Sequence, residues 1–336
     1  MRAVAKAPVP LGALLLLASL AASQSPSPPT TAPREGTSEL RAALYSALED
    51  ERHAVAFYEA VLARHGDQRP FSNIVHAERR HASALIAHLE RLQFPVPGDP
   101  WEGRTITLPA TFAECCDAAA VAEIRNIRMY DELLATNLEA PVASLFRELR
   151  AASKERHLPA FQKHGGGWQR VADADLAPEQ QAQRKQAITA QKALFAALME
   201  QLQAELERGG PAQAVDVCKS AAPTIAAAVS REHELRIGRT SWKLRNPTNT
   251  GPPWTGLLLD DKPDAPQTIA AKDGRLGVTI PIRLAAPCLA CHGQPDALAP
   301  DVRRKLQQEY PEDRATGFAE GDLRGWFWVE VPPPKP

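Results

Sequence analysis

Cys288-Leu289-Ala290-Cys291-His292 brings two thiols and an imidazole within five residues. Thiols at this spacing can add to the two vinyl groups of a porphyrin while the adjacent imidazole takes the iron. That is the chemistry of covalent haem c attachment, one haem per chain. Pro287 and Gly293 flank the motif and place it on a loop. A redox dithiol and half of a zinc site are the competing chemistries. Zinc would need a second Cys/His pair at matching spacing, which the chain lacks. A thioredoxin-like dithiol would open a helix, and Gly293-Gln294-Pro295 does not continue one. Opposite His292 the candidates are Met199, His233 and Cys218, or an open position. Cys218 closes the apolar stretch Ala214-Val215-Asp216-Val217-Cys218, where a lone cysteine is more often a small core residue than a ligand.

A second set of residues has the spacing of a metal centre. Glu51 and Tyr58, and again Glu123 and Tyr130, stand seven residues apart, two helical turns, so each pair shares a face. Glu78 and His81 share a face at i, i+3. A two-metal carboxylate site in a four-helix bundle draws one Glu from each of two helices and Glu-x-x-His from each of the others. Three helices fit, but the fourth offers His157 with Lys154 three residues before it and Ser153 four before. Glu155 lies about 200° around the helix from His157 and should point away unless a bulge turns it. An ammonium at Lys154 beside the site would repel a cation or pair with a carboxylate. The expected ligands are Glu51, Glu78, His81, Glu123 and His157, holding two non-haem iron ions, with Tyr58 and Tyr130 as donors behind them. The alternative is a metal-free bundle whose carboxylates pair with Arg79, Arg80, Arg125 or Arg128. Cys115-Cys116 reads as two thiols, one buried and one partly exposed, since a vicinal disulfide is strained.

The elements that must position these groups follow from periodicity. Apolar residues recur at helical spacing over 38–65, 70–93, 110–137 and 141–164, where Gly165-Gly166-Gly167 stops the last helix. The first two helices are joined by a short turn and are antiparallel neighbours. The connection from the second to the third, about 16 residues, can extend roughly 50 Å. A helix of about 25 residues is roughly 38 Å long, so this connection can run the length of a bundle. Residues 165–183 read as a polar linker. Helices over 184–208 and 212–231 follow, separated by Gly209-Gly210-Pro211. Alternating segments at 236–241, 277–282 and 325–331 then predict a small antiparallel sheet. The predicted fold is therefore multidomain, an all-α four-helix bundle over 38–164 followed by an α+β domain over 184–333.

Residues 184–333 resemble the bacterial haem-binding domain family DUF3365, a Tll-type, PAS-like c-type haem domain. The resemblance rests on Gly209-Gly210-Pro211, the stretch ending at Cys218, Arg236-Ile237-Gly238-Arg239-Thr240-Ser241, Arg245-Asn246-Pro247, Cys288 to Gly293, and Tyr310 to Gly317 with Gly321 to Gly325. It implies a PAS-like sheet with one haem c used in electron transfer or redox sensing, and Cys218 opposite His292 as the axial pair. A thiolate there would lower the potential. Arg239, Arg245 and Arg314 are candidate partners of the haem propionates, because a guanidinium fork suits carboxylates; the bland reading of each is a surface or loop-bracing arginine. Residues 38–164 resemble ferritin-like proteins of the rubrerythrin-like and DUF2202-like groups, through Glu51…Tyr58, Glu78…His81, Glu123…Tyr130 and Ser153 to His157.

The N-terminus reads as a cleavable signal peptide over 1–23, with Arg2 and Lys6 before the apolar stretch Leu11 to Ala22, followed by a Pro/Ser/Thr-rich disordered linker over 24–37. The expected location is the periplasm, with no integral membrane span in the mature chain. Charge is balanced, 39 basic against 40 acidic residues, which argues against a nucleic-acid surface. The expected partner is a redox protein or a small oxidant, and a homodimer is compatible with the sequence. Two functions follow: a mono-haem c-type cytochrome with an accessory bundle, or a di-iron enzyme that reduces peroxide or oxygen with electrons from the covalent haem.

Overall fold

Apolar stripes at helical spacing build the first half of the chain. In the computed structural model, which describes residues 35–259 and 261–335 but not the side chains of 35–37, Val217 and Cys218, four long helical segments pack around shared cores. They are α1 (Glu35–His65), α2 (Phe71–Arg91), α3 (Phe112–Leu134) and α4 (Ala140–Ala152), which continues through a π-turn (Ser153–His157) into α5 (Leu158–His164). The expected signal segment lies outside the described residues, and α1 takes up the last residues of the expected linker. Leu44, Leu48, Leu85, Leu89 and Phe146 fill one core; Val61, Phe71, Cys115 and Phe161 fill the other.

The long connection after α2 runs along α1. Tyr45 donates to the Pro95 carbonyl, Arg52 to Pro97 and Gly98, and Arg64 to Pro109 and Ala110. Thus α3 starts beside the C-terminal end of α1 and runs antiparallel to it, as the expected crossover requires. Thr111 and Glu114 close a reciprocal capping box at its first turn.

The second half holds β1 (Gln169–Val171), α6 (Pro178–Asp216), a π-turn (Val217–Ala221), α7 (Ala222–Glu232), β2 (Arg236–Thr240), β3 (Gln267–Ala270), β4 (Leu276–Arg283), α8 (Leu289–His292), α9 (Pro300–Glu309) and β5 (Leu323–Val331). The five strands form one antiparallel sheet in the order β1-β3-β4-β5-β2. The 165–183 segment is no free linker: β1 forms the sheet edge, and α6 already starts at Pro178. A strand of three residues is too short to show a period in sequence. Gly209-Gly210-Pro211 interrupts the helical backbone of α6, with Gly210 at φ 73°, and so separates two helical stretches as expected. Ile237, Leu276, Val278, Phe327, Val329 and Val331 bury one sheet face against α6 and α7.

The opposite face meets α3. Asp117 accepts from the Gly166 amide at 2.6 Å and from Trp168 Nε1 at 3.1 Å. Arg125 donates to the Gly256 carbonyl at 2.8 Å, and a Cβ on Gly256 would meet Val121 Cγ1 at 2.6 Å, so only glycine allows this approach. Asp117 is 4% exposed, and its removal strands two buried donors. Asp117→Ala is expected to cost about 3 kcal/mol on urea unfolding, against little loss for Asp131→Ala at the exposed end of α3.

Cys115 and Cys116 are both fully buried free thiols, which corrects the expectation that one would be partly exposed. Burial pushes Cys115 up to about 11 and Cys116 up to about 12. At pH 8 both are neutral and shielded. Iodoacetamide is expected to leave them unmodified in the native chain and to label both after unfolding, read by peptide mass.

Candidate functional site

Two clusters stand out, one in each half. In the bundle, Glu51 and Glu123 project from the antiparallel helices α1 and α3, and each accepts a hydrogen bond from the other helix's tyrosine. Tyr58 donates to Glu123 Oε1 at 2.9 Å, and Tyr130 to Glu51 Oε1 at 2.8 Å. The two Glu-x6-Tyr repeats thus interlock. Between them stands Glu78 of α2. Its Oε2 is 2.7 Å from His81 Nδ1, and its Oε1 is 2.9 Å from His157 Nδ1. His81 Nδ1 also lies 3.3 Å from Glu51 Oε2, and His157 Nδ1 3.5 Å from Glu123 Oε1. All five expected ligands meet, as two triads that share Glu78: Glu51, Glu78 and His81; Glu78, Glu123 and His157.

Glu51, Glu78, Glu123 and His157 are each at most 3% exposed. Burial holds Glu51 and Glu123 above the usual carboxylate range, reinforced by the charge of Glu78. Burial also acts on Glu78, but the His157 and His81 imidazoles that face its two oxygens outweigh it and hold Glu78 below that range. Among the described residues, Arg79 bonds Glu59, Arg125 the Gly256 carbonyl, and Arg128 Asp261, rather than these three carboxylates. Buried carboxylates need a cation or protons. His157 Nδ1 is buried without a hydrogen-bond partner, since Glu78 Oε1 lies off its N–H direction despite the short distance. A buried nitrogen aimed among carboxylate oxygens, with a second imidazole disposed likewise, fits a cation between them.

The fourth helix departs from expectation. Lys154 and Glu155 are both exposed, so no ammonium sits beside the cluster. The π-turn at Ser153–His157 inserts a residue into the helical register and turns Ser153 inward instead. Ser153, 3% exposed, donates to Asn126 Oδ1 at 2.8 Å, and Asn126 donates to Asp50 Oδ2 at 2.6 Å. Sequence reading missed Asn126 and Asp50; Asn126 lies one turn after Glu123 on its face, and Asp50 is the residue next to Glu51.

The second cluster surrounds the thiol motif. After β4 the chain makes a 3₁₀ turn (Ala286–Cys288) and the single turn of α8, where the sequence suggested a plain loop. Gly293 ends it: a Cβ there would lie 2.6 Å from the Leu289 carbonyl oxygen. Cys288 and Cys291 are both half-buried. His292 Nδ1 lies 2.7 Å from the Ala315 carbonyl oxygen. A carbonyl only accepts, so Nδ1 carries the proton and Nε2 keeps its lone pair free, the arrangement an iron-binding imidazole needs. Burial, with Arg245 and Arg324 beside it, pushes His292 down to about 3, so the ring is neutral.

Arg245 is only 7% exposed and is committed elsewhere. It pairs with Asp313 at 3.1 Å and donates to the Cys291 carbonyl at 2.6 Å, which locks the thiol turn against the 313–315 segment. It thus braces the loop. Arg314 is exposed and makes only a backbone contact with Leu244. Arg239 fits the expectation best. It pairs in register with Phe327, which pairs with Ile280, so all three share the sheet face that packs on α6. Arg324 and Lys243, missed in sequence, lie over the Phe318 ring at 5.6 and 4.9 Å, and that ring stands edge-on to His292. They sit far apart in sequence from the motif, and only the fold unites them.

Phe195 packs against Phe327 and is 48% exposed; Met199, one turn on, is 41% exposed. Large apolar groups beside Ile280, Ile282 and Arg239 form a wall suited to a flat apolar ring system with anionic edges. Met199 therefore lies toward the motif end of α6. His233 caps α7 just before β2, at the sheet end away from Thr240 and Arg283, and is placed wrongly to oppose His292. The Cys218 side chain lies outside the described residues. Its backbone belongs to the π-turn Val217–Ala221, which α9 clamps through Lys305–Asp216 at 2.9 Å and Lys219–Glu309 at 2.6 Å. Cys291 packs against the cluster that holds Val215, and its Sγ lies 3.8 Å from the Pro211 carbonyl oxygen.

Among the described residues no helix is long and apolar enough to cross a membrane. No curated protein matches the chain. A solved structure described as the crystal structure of the cyanobacterial haem-protein Tll0287 is similar to it, at 24% identity, covering 41% of this chain and 92% of that chain, with a TM-score of 0.30. Residues 174–332 match the family model described as Tll0287-like, so the α+β part of the chain, from the approach to α6 to the end of β5, is similar to that family.

Proposed function

We propose that the chain is an exported mono-haem c-type protein that carries or senses single electrons. The observation that carries this reading is the thiol turn: two cysteines at CxxC spacing beside an imidazole whose Nδ1 is fixed by Ala315 and whose Nε2 is left for a metal. A covalent haem there supplies a one-electron carrier. The chain's own residues hold the turn through Arg245 and Asp313, keep His292 neutral and in one tautomer, and offer Arg239 to the propionates with Phe195, Met199 and Phe327 as apolar cover. The resemblance of 184–333 supports Cys218 as the opposing ligand, and Cys218→Ala is then expected to shift the Soret band. Acid-acetone extraction tests the covalent attachment: the haem should stay with the protein, and a haem that passes into the solvent defeats this reading.

A second reading is favoured by the bundle cluster. We infer a ferritin-like two-metal centre held by Glu51, Glu78, His81, Glu123 and His157, with iron as the metal, which would supply redox chemistry toward peroxide or oxygen when bound. Glu78 joins the two triads, and Tyr58 and Tyr130 hold the outer carboxylates in place. Helix α3 carries Glu123 on one face and the sheet domain on the other, so both centres share a rigid support. About three irons per chain, one of them haem, supports this reading; one iron, all haem, removes it.

A further inference from the structure

The bundle cluster has one carboxylate fewer than its four-helix template, and the structure shows what stands in that place. Ser153, turned inward by the π-turn, is bonded to Asn126 and offers no charge. With two divalent ions, three carboxylates leave one net positive charge, whereas four would leave none. Asp50 does not make up the difference. It lies behind Asn126, outside both triads, with Arg125 set against it. Five side-chain ligands also leave coordination positions open, since such ions take four to six.

A groove of about 480 Å³ between α2 and α5 has His157, a member of the Glu78–Glu123–His157 triad, in its lining. Pro70, Ile74, Ala77 and Ala160 form its walls. Arg69, Arg156 and Lys163 are exposed along it, and no carboxylate lines it. Cations around a low-dielectric channel concentrate anions inside it. The apolar walls suit a short alkyl group.

We propose that the bundle centre takes a small carboxylate anion from solution as a ligand, through this groove, in place of the side-chain carboxylate its fourth helix lacks. The proposal rests on the two-metal reading. The ligand's charge neutralises the surplus, and its two oxygens can serve both ions as the missing glutamate would. The fold therefore exchanges a fixed ligand for a replaceable one, beside a groove that His157 lines.

Sodium acetate is the probe and acetamide its neutral counterpart of similar size. Calorimetric titration of the full-length chain, with its bundle metal bound and after that metal is removed, reads the binding. Acetate is expected to bind only the metal-loaded chain, and acetamide not at all. Arg156→Glu with Lys163→Glu, both exposed, should weaken acetate at least tenfold at low ionic strength, with the difference shrinking as salt screens the rim. Ser153→Glu, which returns a fourth carboxylate, should abolish acetate binding while metal content is kept; if that variant does not fold, the charge-reversal pair carries the test. A metal-loaded chain that ignores acetate, binds acetamide equally well or is indifferent to both rim charges overturns the proposal and leaves the two-metal reading standing. A chain that takes up no bundle metal overturns both.

Discussion

Replacing Cys288 and Cys291 together with serine is expected to remove all haem that survives denaturation. Each thiol contributes one thioether bond, and serine contributes none under the same conditions. Either single variant should retain one bond, with a lower yield of haem on a denaturing gel stained for peroxidase activity. His292→Ala should act differently. Both thiols remain, so a covalent haem can still form, but the iron loses the imidazole that Ala315 holds at 2.7 Å. The expected result is a haem-bearing chain with an altered Soret band. Arg245→Leu probes the brace behind them. It strands Asp313 and frees the Cys291 carbonyl, contacts of 3.1 and 2.6 Å, and should lower the yield of mature haem protein without changing its spectrum.

Glu78→Gln is expected to empty the bundle of metal. Glu78 belongs to both triads, one oxygen toward His81 and the other toward His157. An amide keeps the volume but replaces one acceptor oxygen with a donor and removes the charge, so both triads lose a donor at once. Glu51 belongs to one triad only, so Glu51→Gln should lose about one ion of two. Tyr58→Phe removes the 2.9 Å bond to Glu123 and leaves every ligand in place. Its expected cost is a 10- to 100-fold weaker affinity, the usual scale for a donor behind a ligand. Metal content after dialysis, counted against haem, separates the three variants.

The cluster was legible in sequence because its parts obey helical periods. Seven residues between Glu51 and Tyr58, and between Glu123 and Tyr130, are two turns, and the pairs face each other once α1 and α3 are antiparallel. The crossover length gave that antiparallel arrangement. The fourth helix was misleading because a π-turn adds a residue without any mark in the sequence. A regular helix puts Lys154 near the site; the observed register puts Ser153 there and sends Lys154 into solvent. Around the thiol motif, attachment chemistry is local and could be read directly, whereas the charges near His292 are not local. Arg324 reaches it from β5, Arg245 is taken by Asp313 across a loop, and Phe318 arrives from a turn 26 positions on in the chain. No period links those residues. The edge strand β1 was hidden for another reason: three residues cannot show alternation, and only pairing with β3 makes it a strand.

Intact-mass spectrometry of the purified holoprotein under denaturing conditions tests the covalent haem most directly, after expression in a host that matures haem c. The expected spectrum shows one species, the polypeptide plus a single haem, and its polypeptide part begins after residue 23. A bare polypeptide mass, with the haem released free, would contradict the account.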